Sequence, residues 1–376
     1  MPEFDDWIAD RTRNFDSSGI RKMFELAAKL KDPINLSIGQ PDFDVPPPIK
    51  EALIRAIREG KNGYTATQGV PELREKLQAR IDQQFGHDDR QVFVSSGTSG
   101  GLVLAILALV NQGDEVIFFD PFFVMYPAIV ELANGRSVKL SVYPDFSVDI
   151  DQLEAAITPR TKMIILNSPS NPTGVCATEA EVKAIAELAA KHNICLVSDE
   201  IYSRFTYDRP HISPAQFNPD TIVIDGFSKT YAMTGLRVGY VHGPRKIIET
   251  LLKVQQFTFV CAPQPAQWAG VVALDFDMTP YVDRYRVKRD RLFNGLKDHY
   301  EMVKPEGAFY LFPKLPWGSG AQFIDAAIQH ELMVIPGNIF SNFDTHFRIS
   351  YAVDDAVIDR GIEALCRIAE APVSAN

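Results

Sequence analysis

Cysteine is scarce in this sequence. Only four occur in 376 residues, namely Cys176, Cys195, Cys261 and Cys366, and they lie far apart with no CxxC pair. Cys195 stands inside an apolar run, where a thiol usually behaves as a small hydrophobic side chain. The sequence therefore predicts neither a metal site nor a framework of disulfide bonds.

Long hydrophobic segments and an excess of basic residues are also missing. The most apolar stretch, residues 102–110, is about half as long as a membrane-spanning helix needs to be. The chain starts with acidic residues, where a secretory signal would carry basic ones. With 48 acidic and 38 basic residues, the formal net charge is −10. We expect a cytoplasmic protein that binds no membrane and no nucleic acid, since both attract basic surfaces.

Length and composition favour an ordinary globular protein of two domains. The chain is 46% hydrophobic and 23% charged, and 376 residues exceed what one hydrophobic core normally supports. We expect a large domain at residues 45–275. A small domain would combine residues 1–44 with residues 276–376.

Strands and helices alternate in the predicted large domain. Short runs of branched apolar residues predict strands at residues 91–95, 115–119, 162–166, 194–197 and 221–224. A helix at residues 101–111 is apolar on all sides, so we expect it to be buried. Another helix begins with a capping box formed by Thr178 and Glu181. This alternation is typical of an α/β fold in which helices cover both faces of a mostly parallel sheet.

The pattern changes after about residue 275. A charged helix at residues 281–300 precedes a strand at 309–312, a helix at 322–331 and a strand at 347–351. This order of elements is typical of a separate α+β domain. The first forty or so residues precede the alternating block, so we assign them to the same small domain.

Polar residues follow three of the predicted strands, at the edge where ligands bind to a parallel sheet. The loops at residues 167–174, 198–202 and 225–239 offer an amide, a carboxylate with a phenol, and a lysine with an arginine. Each is ordinary alone, because Asn-Pro and Thr-Gly pairs form turns and a single aspartate or lysine is usually solvated. Their convergence on one edge is what predicts a functional site.

The loop at residues 95–101 is rich in glycine and serine and enters a helix, which makes it a candidate binding site for an anion. A nicotinamide-binding fold is a rival interpretation, because Asp120 follows about twenty residues later at the end of the next strand. The glycine spacing is GxxGG rather than GxGxxG, however, and no Walker-type GxxxxGK[ST] occurs. The spacing disfavours both kinds of nucleotide site.

Six segments of the sequence resemble the class I and II aminotransferases, which are fold-type I pyridoxal-phosphate enzymes. The segments are SIGQPDF (37–43), YTATQGVPELR (64–74), NSPSNPTG (167–174), SDEIY (198–202), GFSKTYAMTGLRVGY (226–240) and FRISYA (347–352). They occur in the family's order and span nearly the whole chain. The resemblance implies a large domain with a mostly parallel seven-stranded sheet sandwiched by helices, plus a smaller α+β domain. It also implies amino-group transfer between an L-amino acid and a 2-oxo acid, with pyridoxal 5'-phosphate as the cofactor.

The resemblance also implies roles for residues in the loops. Lys229 would hold the cofactor as a Schiff base and then shuttle a proton, and Asp199 would keep the pyridine nitrogen protonated. Asn171 and Tyr202 would hydrogen-bond the ring oxygen, and Tyr202 would act with Lys229 and Asp199 in catalysis. Phe123 would stack on the ring, although core packing explains a phenylalanine there about as well.

Implied contacts to the cofactor phosphate come from several residues. They are the backbone of Gly97, Thr98 and Ser99, the hydroxyl of Ser228 and the guanidinium of Arg237. Many relatives have another hydroxyl residue three positions before the lysine, where this sequence has Gly226. Tyr64 would reach the phosphate of the neighbouring subunit, which requires a homodimer.

Substrate binding is less fully specified by the resemblance. Arg348 would bind the α-carboxylate through a bidentate fork, helped by Gly39 and Asn171. Some dicarboxylate-specific relatives use a lysine where this sequence has Ser99, which weakens the case for an aspartate or glutamate preference. Arg21 is another candidate cation, but a solvated helix face explains that residue better.

Two other functions remain open from the sequence alone. A carbon–sulfur β-lyase uses the same cofactor and the same binding residues, because only the fate of the carbanion differs. A cofactor-binding regulator built on this fold typically carries an added DNA-binding domain, for which this chain has no room. Amino-group transfer is the function that we favour.

Overall fold

The structure is a computed structural model that describes residues 4–13, residue 15 and residues 31–370. Arg21, considered above as a cation for the substrate, lies outside the described residues. None of the helices within these residues is both long and apolar enough to cross a bilayer.

Twelve strands and eleven α-helices occur in the described part of the chain. The strands are β1 Ile34–Asn35, β2 Arg90–Ser95, β3 Glu115–Asp120, β4 Arg136–Ser141, β5 Thr161–Asn167, β6 Cys195–Asp199, β7 Ile222–Gly226, β8 Gly239–Pro244, β9 Tyr310–Leu311, β10 Leu332–Met333, β11 Ile335–Pro336 and β12 Phe347–Ser350. The helices are α1 Pro47–Arg58, α2 Pro71–Phe85, α3 Gly97–Leu109, α4 Met125–Leu132, α5 Ile150–Ala155, α6 Glu179–Lys191, α7 Arg245–Thr258, α8 Gln264–Ala273, α9 Thr279–Leu296, α10 Gly320–Gln329 and α11 Asp355–Glu370.

A seven-stranded sheet of order β2-β8-β7-β6-β5-β3-β4 forms the centre of the larger part. Its strands run parallel except for β8, which is antiparallel to both of its neighbours. The predicted α/β fold with a mostly parallel seven-stranded sheet is therefore confirmed. Each of the five strands predicted from apolar runs occurs within two residues of its predicted bounds.

Two strands of this sheet had no recognisable signal in the sequence. The edge strand β4 exposes Arg136 and buries none of its residues fully, so its sequence is polar rather than apolar. In β8, Gly239 and Gly243 obscure the pattern of a buried strand. A Cβ at position 239 would lie 2.7 Å from the carbonyl carbon of Gly97, so the glycine allows the strand to approach the start of α3.

Helix α3 differs from its prediction in two respects. It begins at Gly97, four residues before the predicted start, because its glycines pack directly on the sheet rather than forming a loop. A Cβ at Gly101 would come within 2.7 Å of Val241 and 3.0 Å of Ile224. The expectation of burial on all sides was wrong, since Leu107 is 46% exposed on the face directed away from the sheet.

The capping box of α6 is formed as predicted. The side chain of Thr178 accepts a hydrogen bond from the backbone N–H of Glu181 at 3.2 Å, and the Glu181 carboxylate accepts one from the Thr178 N–H at 2.6 Å. The apolar face of the helix, including Val182, Ile185 and Ala189, is buried against β5 and β6. Complete burial of a large aliphatic side chain stabilises the fold by roughly 1.5–3 kcal/mol, so this face anchors α6 on the sheet.

The C-terminal part of the chain forms a second core. Strands β11, β12 and β9 form an antiparallel sheet, and β1 pairs with β10 in parallel, which joins residues 34–35 to residues 332–333. Aromatic side chains dominate this core. Phe309 packs edge-on against Tyr202 and Phe205, with ring centroids 5.4 and 5.5 Å apart. The second core therefore extends to the loop that follows β6.

Gly174 joins the loop after β5 to the C-terminal part. Its carbonyl accepts hydrogen bonds from the N–H groups of Glu306 and Gly307 at 3.0 and 2.9 Å. Its φ is +72°, and a Cβ at this position would lie 2.5 Å from both Pro305 Cβ and Tyr310 O. Only glycine satisfies both the left-handed backbone and the close approach.

Replacing Gly174 by alanine should destabilise the protein more than the same replacement at Gly86. Both have positive φ, but nothing lies within 4 Å of a Cβ at Gly86. We expect Gly86→Ala to cost about 1 kcal/mol through backbone strain alone, and Gly174→Ala roughly 2 kcal/mol more through overpacking. Thermal unfolding midpoints measure the difference. Equal midpoints for the two variants would contradict the described contact.

Candidate active site

A cavity of about 330 Å³ opens at the carboxyl ends of β5, β6 and β7. The start of α3 and the segment after β1 complete its walls. The lining residues are Ile38, Gly39, Gln40, Thr98, Ser99, Phe123, Asn167, Asn171, Asp199, Ile201, Tyr202, Ser228, Lys229, Thr234, Arg237, Tyr310 and Arg348. The three loops predicted to converge therefore do so.

The side chain of Asn167 fixes the ends of β5 and β6 relative to each other. Asn167 donates a hydrogen bond from Nδ2 to the backbone oxygen of Asp199 at 3.0 Å, and its Oδ1 accepts one from the N–H of Asn171 at 2.9 Å. One side chain thus ties the following loop to the neighbouring strand. This bonding holds Asn171 and Asp199 at the same edge of the cavity.

Asp199 is a buried carboxylate at the end of β6. Burial raises its pKa to about 6, while hydrogen bonds from the Tyr126 hydroxyl and the Ile201 N–H oppose that rise. The Tyr126 bond to Oδ2 is 2.8 Å long, and the Ile201 bond to Oδ1 is 3.4 Å long. Because two donors support its charged form, Asp199 can face a positively charged partner in the cavity.

Lys229 follows β7 and extends into the same cavity. Its Nζ donates a hydrogen bond to the backbone oxygen of Gly39 at 2.5 Å. Burial, followed by the charges of Arg348 and Arg237, lowers its pKa to about 8. The side chain is therefore a neutral amine over part of the physiological range, which is the form that acts as a nucleophile.

Arg348 lies wholly buried between two aromatic rings. Its guanidinium carbon is 4.5 Å from the Tyr310 ring centroid and 4.7 Å from that of Phe340. Nη1 donates to Asn171 Oδ1 at 3.0 Å and Nη2 donates to Ser37 O at 2.9 Å, while Nε has no hydrogen-bond partner among the described residues. No carboxylate pairs with Arg348 in these contacts, so its charge is available to an anion in the cavity.

The start of α3 lies against the guanidinium of Arg237. A Cβ at Gly97 would be only 2.7 Å from Arg237 Nη2, and the residue before the helix provides no side-chain cap. The positive end of a helix beside a cation is unfavourable unless an anion lies between or beside them. Three residues with hydroxyl groups, Thr98, Ser99 and Ser228, line the same cavity. This arrangement suits a phosphate group.

The charged side chains that line the cavity include more positive than negative groups. Its lining contains the cations Lys229, Arg237 and Arg348 but a single carboxylate, Asp199. A ligand with more than one negative group would restore the balance. The residues present therefore fit a phosphorylated cofactor together with a substrate carboxylate.

Close packing of the backbone explains why position 226 is a glycine. A Cβ at this position would lie 3.0 Å from Gly239 Cα and 3.3 Å from Val238 O, so a serine would press against β8. Close backbone packing therefore leaves no room for the second hydroxyl that the resemblance would place here. Thr98, whose Cγ2 lies 3.4 Å from the same Cβ position, lines the cavity nearby.

Most residues named from the sequence line the cavity, but Gly97, Tyr64 and Asp120 do not. Gly97 lies beside Arg237 at the start of α3. Tyr64 is 86% exposed and away from the lining, so its contact with a neighbouring subunit stays a prediction. Asp120, the candidate ribose ligand, is buried and accepts a hydrogen bond from the Asn342 N–H at 2.9 Å. It stabilises a loop rather than facing a nucleotide.

Two tyrosines at the site were missed. Tyr310 lines the cavity and shares a 2.8 Å hydrogen bond with the hydroxyl of Tyr202, and Tyr126 bonds to Asp199. Both occur in apolar segments where an aromatic residue ordinarily belongs to the core. Their hydroxyl partners come from distant parts of the chain, so no local signal could have identified them.

Comparison with known proteins identifies the family. The family model for aminotransferase class I and II matches residues 31–365. The chain belongs to this family. It is 38% identical to the probable aspartate aminotransferase of Methanocaldococcus jannaschii over 96% of this chain and 100% of the relative. It is 35% identical to the probable N-acetyl-LL-diaminopimelate aminotransferase of Bacillus subtilis, over 94% of each. The solved structure of Thermotoga maritima aspartate aminotransferase superposes with a TM-score of 0.92 at 30% identity, covering 96% and 99% of the two chains.

The family membership confirms the predicted activity and cofactor. Class I and II aminotransferases depend on pyridoxal phosphate, and this aminotransferase acts on an amino acid and a 2-oxo acid. The carbon–sulfur lyase alternative is not favoured, because the relatives over nearly the full chain are named aminotransferases. The rival interpretation, a nicotinamide-binding fold, is wrong for the same reason.

The lowered pKa of Lys229 can be tested without any substrate. In the cofactor-free protein, its labelling by trace acetic anhydride should rise with pH and reach half of its maximum near pH 8, where half of the amine has lost its proton. An ordinary lysine continues to gain reactivity up to roughly pH 10.4. Mass spectrometry of the Lys229 peptide measures the profile. A midpoint above pH 10 would contradict the effect of burial and of the two arginines.

Proposed function

We propose that the aminotransferase reaction occurs in this cavity, with Lys229, Asp199 and Tyr202 as its catalytic residues. The observation that carries the proposal is the meeting of a buried amine of lowered pKa and a buried carboxylate at adjacent strand ends. A helix start and two arginines suited to anions surround them. The family's chemistry requires this set of groups.

Bound pyridoxal phosphate supplies an aldehyde that links to amines and a ring that withdraws electrons from the substrate's α-carbon. Asp199 holds a proton on the ring nitrogen, which increases that withdrawal. Lys229 would hold the cofactor through Nζ, and the same atom would move the α-proton of the substrate. The lowered pKa of Lys229 matches its role, because a group that accepts and returns a proton works best near its own titration range. Asp199 acts through its charged form, which the hydrogen bonds from Tyr126 and Ile201 support against burial.

Asn171 and Tyr202 bind the ring oxygen of the cofactor. The Oδ1 atom of Asn171 already accepts from Arg348, so its Nδ2 group is left to donate. Tyr202 is fully buried, and burial and the neighbouring Tyr310 hold its pKa well above the usual range, so its hydroxyl keeps its proton. Phe123 lines the same cavity, where it would pack on the ring.

The phosphate binds at the start of α3. The backbone N–H groups of Gly97, Thr98 and Ser99 lack side-chain caps from the preceding residue, and Arg237 adds a charge-assisted contact. Ser228 is buried and lines the same cavity, and its hydroxyl would donate to the phosphate. The negative phosphate removes the repulsion between Arg237 and the helix end.

Arg348 binds the α-carboxylate of the amino acid. The rings of Tyr310 and Phe340 hold its guanidinium flat, and the bonds to Asn171 and Ser37 fix its rotation. A Cβ at Gly39 would lie 3.0 Å from Tyr310 Oη and 3.8 Å from Arg348 Nη2, so only glycine leaves this entrance open. Gly39 therefore contacts the substrate through its backbone.

We also propose how the chain divides into two domains and in which compartment the protein occurs. Residues 45–275 are assigned to the large cofactor-binding domain, and residues 1–44 with 276–376 to the small domain, supported by the pairing of β1 with β10. All four cysteines are unpaired, which supports a reducing compartment such as the cytoplasm.

A homodimer is supported by exposed apolar residues at positions 64 and 257–260, outside the cavity lining. Tyr64 and Phe257 are each 86% exposed, and Val260 is 40% exposed. Gln255 in α7 donates to the Thr67 carbonyl at 2.6 Å, which brings these segments together. A second copy covering this surface would remove the apolar side chains from water. Its Tyr64 would then approach the phosphate bound at α3.

Mixing two inactive variants tests the shared site. Lys229→Ala protein retains Tyr64 for its partner, and Tyr64→Ala protein retains Lys229. When the two are dissociated and reassembled together, activity should return, because each hybrid dimer has one site with both residues intact. Reassembled single variants are the controls. A monomer in sedimentation velocity, or no recovery on mixing, would refute the shared site.

The transfer reaction itself is tested with single amino acids. Cofactor-loaded protein is mixed with an acidic, an aromatic, an aliphatic or a basic donor. A true donor should release its 2-oxo acid in an amount equal to the enzyme, without ammonia, and turnover should continue only after a second 2-oxo acid is added. Continuous release of ammonia would instead indicate a lyase.

Replacing Arg348 by lysine tests its contact with the substrate carboxylate in this assay, because the positive charge is kept. Because lysine cannot form the bidentate contact, KM for every donor should rise by roughly tenfold or more. Arg367→Lys, on the exposed face of α11, should leave KM unchanged. An unchanged KM in Arg348→Lys would contradict its assigned role.

A further inference from the structure

Tyr126 lies outside the lining of the cavity and contacts it through Asp199. It is 2% exposed, at the second position of α4, and its hydroxyl donates to Asp199 Oδ2 at 2.8 Å. Its ring packs edge-on against Phe118 and Phe123, with centroids 5.9 and 5.7 Å away. The phenol is therefore held in place by packing and directed at one carboxylate oxygen.

The hydroxyl of Tyr126 remains a donor under all ordinary conditions. Burial, with the adjacent Asp199 carboxylate, holds its pKa well above the usual range, so the phenol does not ionise. The remaining bond to the carboxylate, from the Ile201 N–H, is longer at 3.4 Å. Tyr126 thus provides the shorter of the two hydrogen bonds that support the charged form of Asp199.

We propose that Tyr126 is a positioning residue that keeps the Asp199 carboxylate ionised and aimed at the cofactor's ring nitrogen. The inference rests on the role proposed above for Asp199. A buried carboxylate without a good donor takes up a proton more readily, and it could then no longer pair with a protonated ring. Tyr126 acts through Asp199 and does not itself contact the cavity, whose lining does not include it.

Other charges near Asp199 do not replace this hydrogen bond. Glu200, the next residue, disfavours a second negative charge, whereas Lys229 favours it. Tyr202 is close enough for its own pKa to be raised by Asp199. None of these groups donates a hydrogen bond to the carboxylate in the described structure, so loss of the Tyr126 hydroxyl would leave Oδ2 without a donor.

The experiment measures the affinity of cofactor-free protein for pyridoxal phosphate, by absorbance and fluorescence titration, across the acid-to-neutral range. Tyr126→Phe retains the ring and removes only the hydroxyl. We expect its affinity near neutral pH to fall about tenfold, the effect of losing one hydrogen bond to a charged group. The loss of affinity on acidification should also begin roughly one pH unit higher than in the unmodified protein, since a raised Asp199 pKa means protonation at higher pH.

Two further variants separate the possible outcomes. Tyr300→Phe removes an equally buried hydroxyl, bonded to Leu365 O in the second core, and should match the unmodified protein. Asp199→Asn should bind weakly at every pH. If Asp199→Asn binds normally, the proposed function of Asp199 fails. If Asp199→Asn binds weakly but Tyr126→Phe binds normally, or loses affinity equally at all pH values, the positioning role of Tyr126 is refuted.

Discussion

The parallel alignment of β5, β6 and β7 is the constraint on which the site depends. Asn167 and Asp199 are direct partners across β5 and β6, and Asp199 is paired in turn with Ile224 of β7. Their carboxyl ends therefore meet at one edge, and the loop that leaves β7 reaches Lys229 within three residues of the strand's end. Neighbouring strands cannot shift by one residue without moving their apolar side chains out of the core. The core thus fixes the distance between amine and carboxylate.

Burial shifts the pKa values of the groups at this site, and the surrounding residues reduce the free-energy cost of burying their charges. An isolated buried charge is strongly disfavoured, so Asp199 requires donors, and Arg348 is held between two aromatic rings. The cations of the cavity exceed its carboxylates, so a phosphate and a substrate carboxylate would balance its charge. The same excess of positive charge therefore contributes both to binding and to catalysis.

Much of this could be predicted from sequence, because the signals were local. Apolar runs marked β2, β3, β5, β6 and β7, and the capping box of α6 formed as expected. The edge strand β4 and the glycine-containing β8 lacked such signals, since exposure or close packing determined their residues. At the site, motif residues such as Lys229 and Asp199 were identifiable by their loops. Tyr126 and Tyr310 were not, because their roles depend on partners more than seventy positions away.

Covalent mapping of the cofactor tests the central claim most directly. Borohydride reduction of the cofactor-loaded protein fixes pyridoxal phosphate to the amine that holds it, and peptide mass spectrometry locates the label. The convergence of the three strand ends requires the label on Lys229 alone, in a ratio of one per chain. A label on another lysine, or no label on the peptide that follows β7, would show that the cavity described here is not where the cofactor binds.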